Sequence, residues 1–267
     1  MKNITLGQYF PGNTLIHRLD PRVKLVSVIL LMVALFTARG VWGFALGSIY
    51  TICTVLFSRV KIRLLLRGLR PVIGLLLFTT ILNLFFTPGE PIFTVWRISI
   101  SREGLTFTGL LSARIIMLVI STSILTYTTT PLALTDGLEK LMKPLAKLRL
   151  PVSEVALMMS MALTFIPTLL QETQKIMNAQ RARGANFSTG SPLRRARALL
   201  PVLIPLFLNA FRRADDLAIA MESRCYTGGA GRTRMRQLRF TLTDFFALMV
   251  AIALLGGVIF LRIWGTS

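Results

Sequence analysis

Five long apolar runs dominate the chain: Leu25–Ala38, Val41–Phe57, Pro71–Phe86, Leu105–Tyr127 and Phe245–Leu261. In lipid every backbone polar group must be satisfied within the chain, so runs of this length specify membrane-crossing helices. A crossing needs about 20 mostly apolar residues, with about 17 as the lower limit. The first run reaches that length only with Pro21 to Lys24 as an extension whose long side chains snorkel to the interface. The expected fold is an all-α integral membrane protein with about five spans, near 21–38, 41–57, 70–87, 105–127 and within 241–267. Composition agrees: 53% of the 267 residues are apolar, and 31 Lys plus Arg stand against 11 Asp plus Glu, for a net charge of +20. A chain both this apolar and this basic is not a nucleic-acid binder, so the expected partner is the lipid bilayer and no nucleic acid. Cys53, Cys225 and the single His17 are too few for a disulfide framework or a metal cage. Met1 to Pro21 is polar and lacks the apolar core of a cleavable signal peptide.

Lys and Arg are retained on the cytoplasmic side, so loop charge sets the topology. Lys2, Arg18, Arg22 and Lys24 place the N-terminus inside, and Arg59, Lys61, Arg63, Arg67 and Arg70 place the next-but-one loop inside as well. The turn with Arg39 alone reads as outside. So does the stretch from Thr87 to Gly104, where Glu90 and Glu103 balance Arg97 and Arg102. Two more apolar segments, Val152–Leu170 and Leu199–Phe211, would form a hairpin whose link holds Lys175, Arg181, Arg183, Arg194, Arg195 and Arg197 against Glu172 alone. Translocating that link is unfavourable. The stretch after Phe211 is also basic, with Arg212, Arg213, Arg224, Arg232, Arg234, Arg236 and Arg239. Residues 131–240, with 17 basic and 7 acidic side chains, therefore read as a cytoplasmic insertion of long helices, between a four-span part at 1–130 and a last span at 241–267. This puts the C-terminus outside.

Thr130-Pro131 and Ser191-Pro192 each set a capping hydroxyl before a proline suited to the first helical position, and Gly184 and Gly228 lie where helices can stop. Three helices are expected, roughly 131–148, 152–183 and 192–225, with kinks or breaks at Pro167, Pro201 and Pro205. The second and third close on a short repeat. Ala179-Gln180-Arg181-Ala182-Arg183-Gly184 aligns with Ala220-Met221-Glu222-Ser223-Arg224-Cys225, 41 residues apart. An arginine beside a small residue at a helix end can enter a groove on another protein, where its planar fork pairs with carboxylates or carbonyls. The same arginine can equally do no more than complement the helix dipole.

The chain resembles the T component of energy-coupling-factor (ECF) transporters. The residues that carry the likeness are Gly7-Gln8-Tyr9-Phe10-Pro11-Gly12, then His17-Arg18-Leu19-Asp20-Pro21-Arg22-Val23-Lys24-Leu25, and the triplets Ala182-Arg183-Gly184 and Ser223-Arg224-Cys225. The resemblance implies a non-catalytic scaffold in a cell-membrane importer. Two ATP-binding-cassette (ABC) ATPases would dock on the coupling helices, each receiving one triplet, with Arg183 and Arg224 as docking residues. A small integral substrate-binding subunit would rest on the membrane part and the coupling helices. ATP and magnesium would be bound by the ATPases, and the chain itself would hold no cofactor. The second triplet commonly ends in glycine in this family. Here it ends in Cys225, which takes glycine's conformations less readily, so Gly228-Gly229 is the alternative helix stop.

Other residues carry competing readings. Arg114 falls about 13 Å into the fourth run, at about 1.5 Å per residue. It either pairs inside the bundle, supports the surface for the substrate-binding subunit, or snorkels outward. Met158, Met159, Met161 and Phe165 suit a contact that repacks against an interchangeable subunit, or ordinary core packing. His17 reads as an interfacial hydrogen-bonding residue and Cys53 as a small lipid-facing or packing residue. Asp215-Asp216 invites a membrane prenyltransferase hypothesis, but a magnesium-diphosphate site needs further converging carboxylates, and pairing with Arg212 and Arg213 is the plain alternative. No phosphate-binding loop occurs, so ATP would be handled by partners. A membrane scaffold or channel whose basic insertion adheres to anionic lipid is the remaining alternative. The substrate is not written in these residues. The N-terminal signature resembles forms that serve several vitamin-binding subunits, with a dedicated cobalt, nickel or biotin importer as the alternative.

Overall fold

A computed structural model describes residues 9–38, 40–86, 91–95, 98–185, 187, 191–228 and 239–264. Lys2, Gly7, Gln8, Arg39, Glu90, Arg97, Gly229, Arg232, Arg234 and Arg236 lie outside them. The elements run α1 (Leu15–Arg18), α2 (Pro21–Thr37), α3 (Gly40–Ser58), α4 (Ile62–Phe86), β1 (Pro91–Val95), β2 (Ile98–Ser101), α5 (Arg102–Thr128), α6 (Pro131–Met142), a 3₁₀ turn (Lys143–Leu148), α7 (Val152–Ala182), α8 (Pro192–Glu222) and α9 (Leu242–Trp264). The chain is an all-α integral membrane protein with one small addition: β1 and β2 pair as an antiparallel hairpin in the link between α4 and α5. Contacts divide the chain into two compact units, one of residues 1–141 and 238–267, the other of residues 142–237. The division falls at the last residue of α6, eleven residues later than the boundary read from charge, because α6 packs on the first unit. A Cβ on its buried Gly137 would stand 3.1 Å from Pro21 Cβ and 3.3 Å from the backbone nitrogen of Arg22.

Five described helices are long and apolar enough to cross a membrane: α3, α4, α5, α7 and α9. The number matches the expectation, and one member differs. With 17 residues, α2 is about 26 Å long, short of the roughly 30 Å hydrocarbon core, while the 31-residue α7 meets the length and hydropathy requirement. Nevertheless α2 is central to the first unit. Its Leu31, Ala34 and Leu35 are each 1% exposed, packed with Phe44 of α3, Met117 of α5, and Leu254 and Val258 of α9. Gly43 and Gly47, one turn apart on α3, allow this approach: a Cβ at Gly47 would sit 2.7 Å from Leu35 Cδ2. α7 and α8 run without interruption through Pro167, Pro201 and Pro205, so the expected breaks do not occur.

The Asp-Pro-Arg-x-Lys run is a knot of helix ends. Asp20 caps α2 by accepting from the Arg22 backbone N–H at 2.9 Å, Pro21 occupies the first helical position, and the Arg22 guanidinium closes on Asp20 at 2.7 Å. Lys24, buried, spends its three protons on the carbonyls of Thr128 (3.0 Å) and His17 (3.3 Å) and the Thr129 hydroxyl (3.2 Å), so its charge also complements the C-terminal end of α5. Asp244, 1% exposed, accepts from the Asp20 N–H at 2.7 Å and from the N–H and hydroxyl of Thr241 at 2.8 and 2.6 Å. One carboxylate thereby joins the starts of α2 and α9. His17 completes the corner: Nε2–H donates to the Phe10 carbonyl at 3.1 Å, leaving Nδ1 to accept from Thr14 at 2.6 Å.

Burial alone would raise the Asp20 pKa, but hydrogen bonds from the Arg22 side chain and backbone outweigh it and hold the carboxyl below its ordinary 3.8. The stabilisation from this shift is therefore complete above about pH 4 and is lost as pH falls through the lowered value. Asp244→Ala strips three donors of their acceptor in a buried site and is expected to cost about 3 kcal/mol. Thermal unfolding in detergent at neutral pH should show the loss. An unchanged midpoint would contradict the role given to this carboxylate.

Candidate functional site

The two arginine triplets sit at the C-terminal ends of two helices of equal length, α7 and α8, each 31 residues. Both helices end in the same hydrogen-bonded stop. At α7, Gly184 N–H donates to the Arg181 carbonyl at 3.0 Å and Ala185 N–H reaches back to Gln180 at 2.9 Å. At α8, Cys225 N–H donates to Glu222 at 2.9 Å and Tyr226 N–H to Met221 at 3.0 Å. This is the Schellman arrangement, which needs a left-handed residue just past the cap. Gly184 supplies φ +86° and Cys225 supplies φ +57°. The second helix thus stops at Cys225 itself, and Gly228, at φ +101°, lies three residues beyond the stop. Cysteine occupies a conformation that costs a non-glycine residue about 1–2 kcal/mol.

Arg183 and Arg224 are therefore equivalent cap residues, both exposed. Neither guanidinium bonds or ion-pairs with another described residue, and the carbonyls of Ala179, Gln180 and Arg181 and of Ile219, Met221 and Glu222 accept backbone N–H groups. Direct capping of those carbonyls does not account for the arginines. Their neighbour Arg181 is occupied, with Asn178 at 3.4 Å and its guanidinium 5.8 Å from the Phe187 ring centre. Ala182 and Ser223 are exposed beside the two arginines, and Ser223 Oγ is turned back to the Ala220 carbonyl at 3.0 Å.

α7 and α8 are pinned to each other. Glu172 accepts from Asn209 at 2.7 Å and ion-pairs with Arg213 at 3.5 Å. Arg213 is thus paired with Glu172 rather than with Asp215 or Asp216, which are exposed. No cluster of three potential metal ligands occurs among the described residues. Beside the pin, Leu169 and Leu203, Ile204, Phe207 and Leu208 line an apolar cleft of about 500 Å³. On α7, Met158, Met161 and Phe165 share one face at helical spacing and Met159 lies about 100° round. Met158 and Met159 are exposed, whereas Met161 and Phe165 are half-buried.

In the first unit Arg114 turns into the bundle. Its guanidinium lies 5.1 Å from the Phe44 ring centre and 5.5 Å from that of Phe36, and donates to the Ala38 carbonyl at 3.4 Å. Cys53 is exposed. Sequence reading passed over Asp244 and Glu172. For Asp244 a signal existed, since Thr241-x-x-Asp244 at the start of an apolar run is a capping-box pattern. For Glu172 there was none, because its partners come from another helix.

Comparison with known proteins decides the family. Residues 12–235 match the family described as cobalt transport protein, CbiQ. The energy-coupling factor transporter transmembrane protein EcfT of Thermosediminibacter oceani is 49% identical over 265 residues, covering 99% of this chain and 100% of that relative. The chain belongs to the T-component family of ECF transporters. The proteins of the same name from Ruminiclostridium cellulolyticum and Bacillus subtilis are each 45% identical, over 98% of the chain. This T component is a multi-pass, non-catalytic transmembrane subunit of a transporter complex.

The twin stops predict opposite responses to substitution. Cys225→Gly removes left-handed strain and should leave the Tyr226 amide as protected from hydrogen exchange as before, or more so. Gly184→Val forces a β-branched residue to φ +86° and should strip protection from the Ala185 amide. Equal protection in the Gly184→Val variant and the parent would mean that the stop does not depend on the left-handed residue.

Proposed function

We propose that α7 and α8 are the coupling helices of a vitamin-type ECF importer and that Arg183 and Arg224 are the plugs by which two ABC ATPases hold it. The observation that carries this reading is the equivalence of the two ends: helices of the same length, the same hydrogen-bonded stop, and a cap arginine that is exposed and unpaired among the described residues. A planar guanidinium presented off a rigid helix end suits a socket of carboxylates and carbonyls. Two equivalent plugs suit two similar ATPases. Closure of the ATPase pair on ATP would carry the helix ends with it, and the helices would pass the movement to a small substrate-binding membrane subunit, for which Met158, Met159, Met161 and Phe165 are the proposed contact. ATP and magnesium stay with the ATPases, and this chain needs no cofactor.

The positive-inside rule puts the N-terminus and the coupling helices in the cytoplasm and the C-terminus outside the cell membrane. On this reading α7 is held by α8 and by partners although its length would allow it to cross. The cargo is set by the substrate-binding subunit. Vitamins through a shared set of such subunits fit the N-terminal signature, and a dedicated cobalt, nickel or biotin importer is the alternative. Neighbouring genes for two ATPases without a substrate-binding subunit would support the shared type.

Replacing Arg183 and Arg224 together by Glu reverses both plugs. The double variant should insert in the membrane normally and lose co-purification of the ATPase pair in detergent, by tenfold or more. A double variant that retains both ATPases in stoichiometric amount would refute the docking assignment.

A further inference from the structure

One cleft in the first unit has no place in ATPase docking. It lies between α4 and α5, has a volume of about 980 Å³, and is lined along α5 by Leu118, Val119, Thr122 and Ser123 and along α4 by Arg67 and Pro71. That is near the top of the roughly 300–1,000 Å³ range of small-molecule sites. Its lining changes along the helices. Arg67 and the hydroxyl residues lie toward the start of α4 and the end of α5, in company with Phe10, Leu64 and Tyr127, and the deeper residues along both helices, Leu118, Val119 and Pro71, are all apolar. Gly68 sets the approach of the two helices, since a Cβ there would stand 2.9 Å from Ser123 Oγ.

Arg67 is exposed and has no hydrogen bond or ion pair with another described residue, and no carboxylate is among the residues lining the cleft. It lies in the first turns of a helix that is otherwise apolar enough to span, on the same face as Arg63 and Arg70 at steps of four and three. A guanidinium at that depth calls for an anion at the level of the lipid headgroups. Among the described residues the hydroxyls of Thr122 and Ser123 have no hydrogen bond, so they add donors for phosphate oxygens, and the deeper apolar walls run in the direction an acyl chain takes. We infer that this cleft holds one anionic phospholipid, its phosphate on Arg67 with Thr122 and Ser123, and an acyl chain along Val119, Leu118 and Pro71. The occupant is a lipid rather than a soluble phosphate because the polar contacts occupy one end and the deeper walls are apolar. The site would tie the T component to membranes of negative headgroup charge.

The test uses the full-length protein in phosphatidylcholine vesicles containing a trace of phosphatidylglycerol with a photoactivatable acyl chain. Crosslinks should map to the α5 peptide containing Leu118 to Ser123. Arg67→Ala should reduce them at least fivefold, whereas Arg70→Ala, outside the cleft lining, should not. Val119→Trp fills the deep end while keeping Arg67 and should also abolish labelling, which preserves the test if Arg67→Ala folds poorly. Unlabelled phosphatidylglycerol should compete and inorganic phosphate should not. Undiminished labelling in Arg67→Ala and Val119→Trp, equal labelling by photoactivatable phosphatidylcholine, or competition by phosphate would overturn the assignment.

Discussion

An ammonium group removed from water is tolerated only where its protons are all accepted and opposite charge lies close. Lys24 meets both conditions through two carbonyls and a hydroxyl at the end of α5 and around α1, with Asp20 and Asp244 near enough to act on its charge. The rest of the first unit is organised from that point. Asp244 bonds the first turn of α2, so the last helix of the chain is fixed to the first long one although 224 residues separate the two partners. From there α2 descends between α9, α5 and α3, enclosing Leu31, Ala34, Leu35 and Ala38 on one face. In a bilayer, where lipid tails compete equally for apolar side chains, such polar ties and close small-residue contacts decide which helix neighbours which.

Much of this was legible in the residues, and the failures have physical causes. Helix starts at Pro131 and Pro192 could be read because a hydroxyl followed by proline has one good structural use. Of the kinks or breaks expected at Pro167, Pro201 and Pro205, breaks did not appear, because a long helix supported by a partner loses one hydrogen bond at proline without having to end. Counting apolar residues cannot separate α2 from α7: one is short and buries one face in the first unit, the other is long and flanked by charge, and hydropathy responds only to length and composition. The motif from Asp20 to Lys24 was recognisable as a signature. Its meaning depended on Thr128, Thr129 and Asp244, which arrive from distant sequence.

Cys225 illustrates the same limit at single-residue scale. Residue type argued against a left-handed stop there, yet the hydrogen-bond pattern from Met221 to Tyr226 reproduces that from Gln180 to Ala185. The two helices stop in the same way although the second does so against a local preference of about 1–2 kcal/mol. The short repeat, weak as a string of letters, is a repeat of backbone geometry.

The Glu172 pin also has a mechanical consequence. Arg183 lies eleven residues beyond it, about 16 Å along α7, while Val152 lies twenty residues before it, about 30 Å away at the helical rise. Were α7 to pivot at this pin as a straight rod, its two arms would be unequal: a small sideways displacement at the arginine end would return at the far end reversed in direction and nearly doubled, so the methionine-bearing half of α7 would gain travel and give up force.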